Sequence, residues 1–168
     1  YADVTCAIAI FLCDHRRAAA LMPHRSLAPV RMLRGRAALI LSCYEYRNVM
    51  NIRPYNEIAM TIPVMKGGFR PPVLPLIMAL PNRGYYVFSM PVTSLENQIR
   101  GVRIWGLPKV VEEIEITVED GQCVTRARDE SGAVYLDLRV PTTGKQRHFD
   151  ETGSLYSVLD GRLLRSRT

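Results

Sequence analysis

The chain has 168 residues, 48% of them hydrophobic and 23% charged, a composition that can bury a core and that argues against disorder. Its net charge of +6 comes from 19 arginines and three lysines. The arginines are scattered and not interleaved with aromatics, which excludes the usual pattern of a nucleic-acid groove. No apolar run reaches the ~20 residues that cross a bilayer, so no membrane contact is expected. We predict one domain over residues 1–168 and leave open whether terminal segments are missing, since the chain begins without methionine.

The four cysteines, Cys6, Cys13, Cys43 and Cys123, do not have the spacing of a metal site. None forms a CxxC pair and no paired histidines accompany them, so no zinc site is predicted. Cys6 and Cys43 lie in apolar, strand-like runs, where cysteine usually packs as a small hydrophobic residue. We interpret the cysteines as buried, reduced thiols, which indicates a cytoplasmic protein.

The first part of the chain predicts three strands and one short helix. Residues 4–12 form an apolar run of strand length. Asp14 is a suitable N-cap for a helix over residues 15–21, which ends before a proline. After a polar connection, residues 37–46 and 57–64 are again rich in apolar and aromatic residues, which favours two further strands.

The middle of the chain predicts a loop, a strand and a second helix. Residues 66–75 are rich in glycine and proline, which is typical of a loop. Residues 84–92 are aromatic and β-branched and predict a strand. A short helix then follows, which Thr93 or Ser94 caps and which Gly101 ends.

The clearest pattern is an antiparallel meander. Apolar and mostly acidic residues alternate over 113–119, as in a half-buried strand. Asp120-Gly121 predicts a tight hairpin turn into residues 124–128, and a second turn at 129–132 leads into 133–140. Because only two short helices interrupt this order, we predict a mainly β fold, an antiparallel curved sheet or β-barrel with a few short helices.

Lys109 differs from the other two lysines in its surroundings. Lys66 and Lys145 lie in polar or glycine-rich loops, as surface lysines do. Lys109 lies in the run Trp-Gly-Leu-Pro-Lys-Val-Val over residues 105–111. An amine in apolar surroundings loses its hydration, which disfavours the ammonium form, and a neutral amine can attack a ketone to form an imine. From these residues alone, a surface lysine at the start of a strand remains the alternative.

Three segments together resemble a known family. Gly101-Val102-Arg103-Ile104-Trp105-Gly106-Leu107-Pro108-Lys109 resembles the lysine motif of acetoacetate decarboxylases, a glycine followed by a stretch ending in aromatic-Gly-aromatic-Pro-Lys. Pro54-Tyr55-Asn56-Glu57, followed by Ile62-Pro63-Val64, resembles that family's Tyr-x-Glu segment and Pro-Val strand. Residues 14–23 resemble its short N-terminal helix. The resemblance spans roughly residues 6–118 and fades after about Val140.

The resemblance implies an active site built on Lys109. In such enzymes the matched lysine forms a Schiff base with a 3-oxo acid, and no cofactor is required. Glu57 matches a pocket carboxylate that orients the substrate and handles protons. Trp105 and Met90 are expected to line an apolar pocket, with plain core packing as the alternative for both. The substrate-binding residues expected in all are Tyr55, Met90, Arg103 and Trp105.

The chain departs from the family pattern at three places. Val110 stands where the decarboxylases have a second lysine, so no neighbouring cation is available to activate Lys109. Val102-Arg103 replaces the family's Arg-Glu after Gly101. The position of the family's carboxylate-binding arginine falls near Val4, and Arg103 is the substitute that we expect.

We therefore predict a cofactor-independent lyase that forms a lysine Schiff base with a small oxo acid. Decarboxylation of a 3-oxo acid such as acetoacetate is the first hypothesis. An aldolase or dehydratase acting through the same imine, and a non-catalytic small-molecule-binding β domain, are the alternatives. Relatives of this kind assemble into oligomers, so a homo-oligomer is expected.

Overall fold

A computed structural model describes residues 2–49, 52–67, 83–145 and 153–167. Most of the described residues lie in strands. The strands are β1 (Ala2–Cys13), β2 (Leu27–Pro29), β3 (Ala37–Val49), β4 (Tyr55–Lys66), β5 (Arg83–Val92), β6 (Lys109–Val111), β7 (Glu113–Glu119), β8 (Gln122–Arg128), β9 (Val134–Pro141), β10 (Ser154–Leu159) and β11 (Arg162–Arg167). The helices are α1 (His15–Ala20) and α2 (Leu95–Trp105), with a 3-10 turn at Leu33–Gly35.

The larger sheet has the strand order β1-β3-β4-β5-β10-β11, with β2 added to β4 and β6 added to β5. Its pairs are antiparallel except for those of β5 with β6 and with β10, which are parallel. The order ends at β1 on one side and at β11 on the other, so the described strands form an open sheet. The predicted mainly β fold is confirmed, as a curved mixed sheet and not as a closed barrel.

The smaller sheet, β7-β8-β9, packs on one face of the larger one. This interface is a buried apolar cluster that takes side chains from β3, β4 and all three strands of the smaller sheet: Leu41, Cys43, Ile58, Ile114, Ala127 and Leu138. Side chains alternate between the two faces of a strand. The residues of β3 and β4 that directly precede or follow these positions, including Tyr44 and Glu57, therefore project from the opposite face.

Within the described residues, two Asp-Gly turns each close a tight hairpin. Asp120 and Gly121 have φ of 49° and 71°, the left-handed values that a tight two-residue turn requires, and the predicted meander is confirmed. Asp160 and Gly161 adopt the same conformation, with φ of 50° and 72°, between β10 and β11. This second hairpin, which is absent from our sequence prediction, pairs with β5 through Leu155 and so belongs to the larger sheet.

The second helix is longer than predicted. Ser94 caps it as expected, since its hydroxyl accepts from the Asn97 backbone N–H at 3.2 Å. The helix continues through Gly101 and ends at Gly106, which has φ of 60°. The prediction that Gly101 ends the helix was therefore wrong, because it is Gly106 that adopts the left-handed conformation typical of a helix end. Asp14 caps α1 as predicted, accepting from two backbone N–H groups at 2.9 Å.

Other local predictions have mixed outcomes. The connection after α1 contains a short strand, β2, that was not expected. Cys43 is buried as predicted, whereas Cys6 is exposed near the edge of the sheet, because β1 has a partner on one side only. Most of the predicted loop over 66–75 lies outside the described residues. Within the part of the chain that the structure describes, no helix is long and apolar enough to cross a membrane.

Candidate functional site

The candidate site is a buried group of three polar side chains. Lys109 Nζ lies 2.5 Å from Glu57 Oε2 and also donates a hydrogen bond to Asn97 Oδ1. Lys109 is 7% exposed, Glu57 5% and Asn97 6%. Lys109 is thus the first residue of a short strand but not a surface residue, and the surface alternative was wrong.

Three elements distant in sequence form this group. Glu57 lies on β4, directly opposite Val92 of β5. On the other side of β5, Met90 pairs with Lys109, the first residue of β6. Asn97 comes from the first turn of α2, which Ser94 caps. The sheet therefore sets the separation of the amine and the carboxylate, while the helix adds the amide from above.

Gly101 allows the helix to approach the lysine closely. It follows Asn97 by one helical turn and is buried. A Cβ built at this position would lie 2.6 Å from Lys109 Cε and 3.2 Å from Cγ. Because real Cβ atoms do not approach other atoms so closely, only glycine fits here while Lys109 keeps its position. The glycine that begins the lysine motif thus has a packing role.

The electrostatics of Lys109 differ from the apolar setting that the sequence predicted. Burial disfavours an ammonium ion, but a carboxylate in contact favours it, as does a hydrogen-bond acceptor such as an amide oxygen. The structure provides both partners, so the resting state is a buried ion pair of Lys109 and Glu57. The structure thus adds two polar partners to the apolar setting, and the carboxylate lies where it can take a proton from the amine.

A row of three tyrosines, here called the tyrosine patch, adjoins the ion pair. It consists of Tyr44 and Tyr46 on β3 and Tyr55 on β4. The ring centroids of Tyr44 and Tyr46 are 5.5 Å apart and those of Tyr46 and Tyr55 are 4.6 Å apart, and both pairs are stacked. The side chain of Tyr55 is hydrogen-bonded to that of Asn97, which links the patch to Lys109.

Burial raises the pKa values of the phenols in the patch further above neutral pH. Loss of hydration raises the pKa of Tyr44 to about 12. The pKa values of Tyr46 and Tyr55 are also raised, chiefly by burial and next by the negative charge of Glu57. The patch is therefore uncharged at neutral pH, and it offers ring faces and hydroxyl groups beside the ion pair.

The other predicted substrate-binding residues lie at different distances from the ion pair. Tyr55 is part of the patch, and Met90 is buried beside Lys109 in a cluster with Leu107. Arg103 is exposed and Trp105 is 48% exposed, both at the C-terminal end of α2. The structure thus brings Tyr55 and Met90 to Lys109, whereas substrate contact by Arg103 and Trp105 stays a prediction.

Asn97 is the site residue that sequence reasoning missed. It precedes Gly101 by four residues, so the two share one face of a helix. This signal becomes visible only when the helix is extended past Gly101. Our prediction ended the helix at that glycine, and so the amide was not placed opposite the lysine.

Comparison with known proteins gives a consistent family. The sequence profile of the acetoacetate decarboxylase family matches residues 1–157, well beyond Val140, where the resemblance was expected to fade. A search of curated protein sequences gives no match. Among solved structures, the acetoacetate decarboxylase of Legionella pneumophila is similar with a TM-score of 0.65 and 16% identity, over 97% of this chain and 62% of that protein.

A second solved relative is the enduracididine biosynthesis enzyme MppR. Its complex with the condensation product of pyruvate and imidazole 4-carboxaldehyde is similar with a TM-score of 0.60 and 13% identity, over 98% of this chain and 66% of MppR. Its pyruvate complex has a TM-score of 0.62 and 13% identity, over 92% of this chain and 62% of MppR. The chain thus spans less than two thirds of these structures, and at such identities they show the fold alone. Since the family profile covers nearly the whole chain, the chain belongs to the acetoacetate decarboxylase family.

Proposed function

We propose that this protein is a lyase in which Lys109 forms a Schiff base with a small oxo acid, most simply a 3-oxo acid such as acetoacetate. The observation that carries the proposal is the contact of 2.5 Å between the buried Lys109 amine and the Glu57 carboxylate. A buried lysine of any role needs a charged partner, because an unpaired buried charge is costly. What favours chemistry here is that the paired side chains are the lysine and the glutamate of the two matched motifs, and that Glu57 lies within reach to take and return a proton of the amine.

The ion pair supplies the nucleophile. Transfer of one proton from the ammonium of Lys109 to Glu57 leaves a neutral amine with a free electron pair. That pair attacks the ketone carbon of the substrate, the carbonyl oxygen leaves as water, and a protonated imine forms. The Asn97 amide does not ionise, so it takes no part in proton transfer. Its oxygen accepts one N–H of Lys109 while Glu57 takes and returns protons.

The protonated imine then acts as the electron sink. In decarboxylation, the bond between the carboxylate carbon and the neighbouring carbon breaks, carbon dioxide leaves, and the electron pair moves to the nitrogen as an enamine forms. Glu57, which gave its first proton to the departing water, takes a new proton from solvent and passes it to the enamine carbon, and this restores the imine. Water then releases the ketone and Lys109. An iminium nitrogen carries a single N–H, which Asn97 can hold throughout.

An aldol-type reaction through the same imine is the second candidate. The observation that favours it is the likeness to MppR in complex with a condensation product of pyruvate and an aldehyde. In such a reaction an enamine formed by proton loss attacks the aldehyde carbon, and no carbon dioxide is released. Measurement of carbon dioxide release from acetoacetate therefore separates the two candidates.

Borohydride trapping tests the imine. The protein is incubated with acetoacetate or pyruvate, reduced, digested and analysed by mass spectrometry. We expect an adduct on Lys109 in the native protein and in Lys66→Ala, and no adduct in Lys109→Ala. If the folded protein gives no adduct with any oxo acid, the imine proposal is wrong, and a non-catalytic binding domain becomes the better reading.

We further propose that the protein is a homo-oligomer. The free edge of β1 carries large apolar side chains that are exposed in the single chain, namely Val4, Ile8, Ile10, Phe11 and Leu12. A long apolar edge strand that stays uncovered is prone to aggregation. Light scattering during size-exclusion chromatography measures the oligomeric state, and a monodisperse monomer would contradict this expectation.

A further inference from the structure

The tyrosine patch has a defined place on the face of the larger sheet. Tyr46 is opposite Tyr55, and Tyr44 is opposite Glu57, in the register of β3 and β4. Residues directly opposite each other project from the same face. Glu57 thus lies at one corner of the patch, next to Tyr55 along β4 and next to Tyr44 across the strands. The patch therefore begins beside the carboxylate that contacts the Lys109 amine.

The patch continues toward the sheet edge as apolar surface. On β1, Val4 lies opposite Tyr46 and Cys6 lies opposite Tyr44, so both project from the same face as the tyrosines. Val4 and Cys6 are exposed, and the two tyrosines of β3 are partly exposed. The exposure of side chains on this face therefore increases from the buried ion pair toward the edge strand β1.

This surface is larger and more aromatic than a minimal oxo acid requires. The group beyond the carbonyl carbon of acetoacetate is a single methyl, whereas the patch spans three aromatic side chains on two strands. The three stacked rings turn their faces toward one another, so the patch offers ring edges and hydroxyl groups outward, and aromatic groups pack well edge-to-face against such rings. Tyrosine side chains are uncharged at neutral pH, so the patch offers no charge that would pair with an ionic group in this part of the substrate.

We propose that the tyrosine patch is the side-chain subsite of this protein and that its substrate is an oxo acid bearing an aromatic ring. The inference deepens the proposed function and rests on it for the position of the reacting carbon at Lys109. The ring lies against the edges of Tyr44 and Tyr46, with the carbonyl carbon at the Lys109 amine.

Binding of acids that lack a carbonyl tests the subsite independently of imine formation. Isothermal titration calorimetry with phenylpropanoate and with butanoate compares a ring with a methyl group. We expect phenylpropanoate to bind at least about tenfold tighter, a difference of about 1.4 kcal/mol. In Tyr46→Leu the preference falls to less than about threefold, whereas Tyr46→Phe keeps the ring and the preference. Tyr135→Leu is the matched control, because that tyrosine lies on the smaller sheet and bonds Glu112.

Circular dichroism and the melting temperature establish that each variant is folded. Equal affinity for the two acids in the folded native protein overturns the subsite, as does a preference that Tyr46→Leu leaves unchanged or that Tyr135→Leu removes equally. Trapping with benzoylacetate and acetoacetate is measured in parallel. If neither oxo acid is trapped while the ring preference and its dependence on Tyr46 persist, the proposed imine function fails and the subsite stands.

Discussion

Replacement of Gly101 by alanine separates the packing role of this glycine from its place in a helix. In an ordinary exposed helix interior, Gly→Ala stabilises a protein by roughly 1 kcal/mol, because alanine has the higher helix propensity. Gly101 is buried, and its new methyl group would lie 2.6 Å from Lys109 Cε. Lys109 cannot move away freely, since Glu57 and Asn97 both hold its amine.

The balance of these effects predicts a small loss of stability and a large loss of function. Overpacking a buried site costs about 1–3 kcal/mol. Subtracting the helix gain of about 1 kcal/mol leaves a destabilisation of up to about 2 kcal/mol. At roughly 2–4 °C per kcal/mol for a chain of this size, the melting temperature falls by several degrees at most. A displacement of the amine by about 1 Å is expected to slow imine formation by on the order of a hundredfold.

The assay combines thermal melting with the initial rate of borohydride trapping on acetoacetate. Ile99→Ala is the control, because it introduces the same residue two positions earlier on an exposed part of α2. We expect that control to keep both the melting temperature and the trapping rate. If Gly101→Ala traps acetoacetate at the native rate, or if it stabilises the protein as an exposed Gly→Ala does, the packing argument is refuted.

Three further outcomes follow from the same group of side chains. Lys109→Ala leaves the buried Glu57 carboxylate without its cation and should lower the free energy of unfolding by about 3–5 kcal/mol. The double variant Lys109→Met with Glu57→Gln should recover most of that free energy. Equal stability of the native protein and both variants in urea titrations would contradict the buried ion pair. Asn97→Ala removes one acceptor of the Lys109 amine, and a buried donor without a partner costs about 1–3 kcal/mol. We therefore expect borohydride trapping to slow about tenfold or more in Asn97→Ala and to stay at the native rate in Ile99→Ala. The pKa of Tyr44 is raised from 10.0 to about 12, so its contribution to stability is present below about pH 10 and is lost as the pH rises toward 12. Over this range the melting temperature of Tyr44→Phe should fall less steeply than that of the native protein. Parallel curves for the two proteins would contradict the raised pKa.

Local sequence signals were sufficient wherever one short segment decides its own conformation. Asp14 identified the start of α1, because its side chain bonds backbone N–H groups only two and three residues ahead. Asp120-Gly121 identified a hairpin, because both residues tolerate the positive φ of a tight turn. Asp160-Gly161 carries the same signal, and the hairpin that it forms was predictable in the same way.

The end of α2 shows how a local signal becomes ambiguous. Gly101 and Gly106 are both acceptable helix ends, and the local pattern by itself predicts the one nearer to the start of the helix. Only the tertiary structure distinguishes them. Gly101 stays helical because Lys109 occupies the space where a side chain would lie, and Gly106 ends the helix with a positive φ.

By itself, the sequence determined most of the described strands, the first helix cap and, through its motif, the lysine on which the proposed chemistry rests. The tertiary structure alone decided what surrounds that lysine. Glu57 is 52 residues from Lys109 and Asn97 is 12 residues from it. Their approach depends on pairing between strands and on the packing of α2, which are interactions between distant segments that no local pattern encodes. The sequence predicts apolar surroundings for Lys109, whereas the fold places a carboxylate and an amide in contact with its amine and a row of tyrosines beside them.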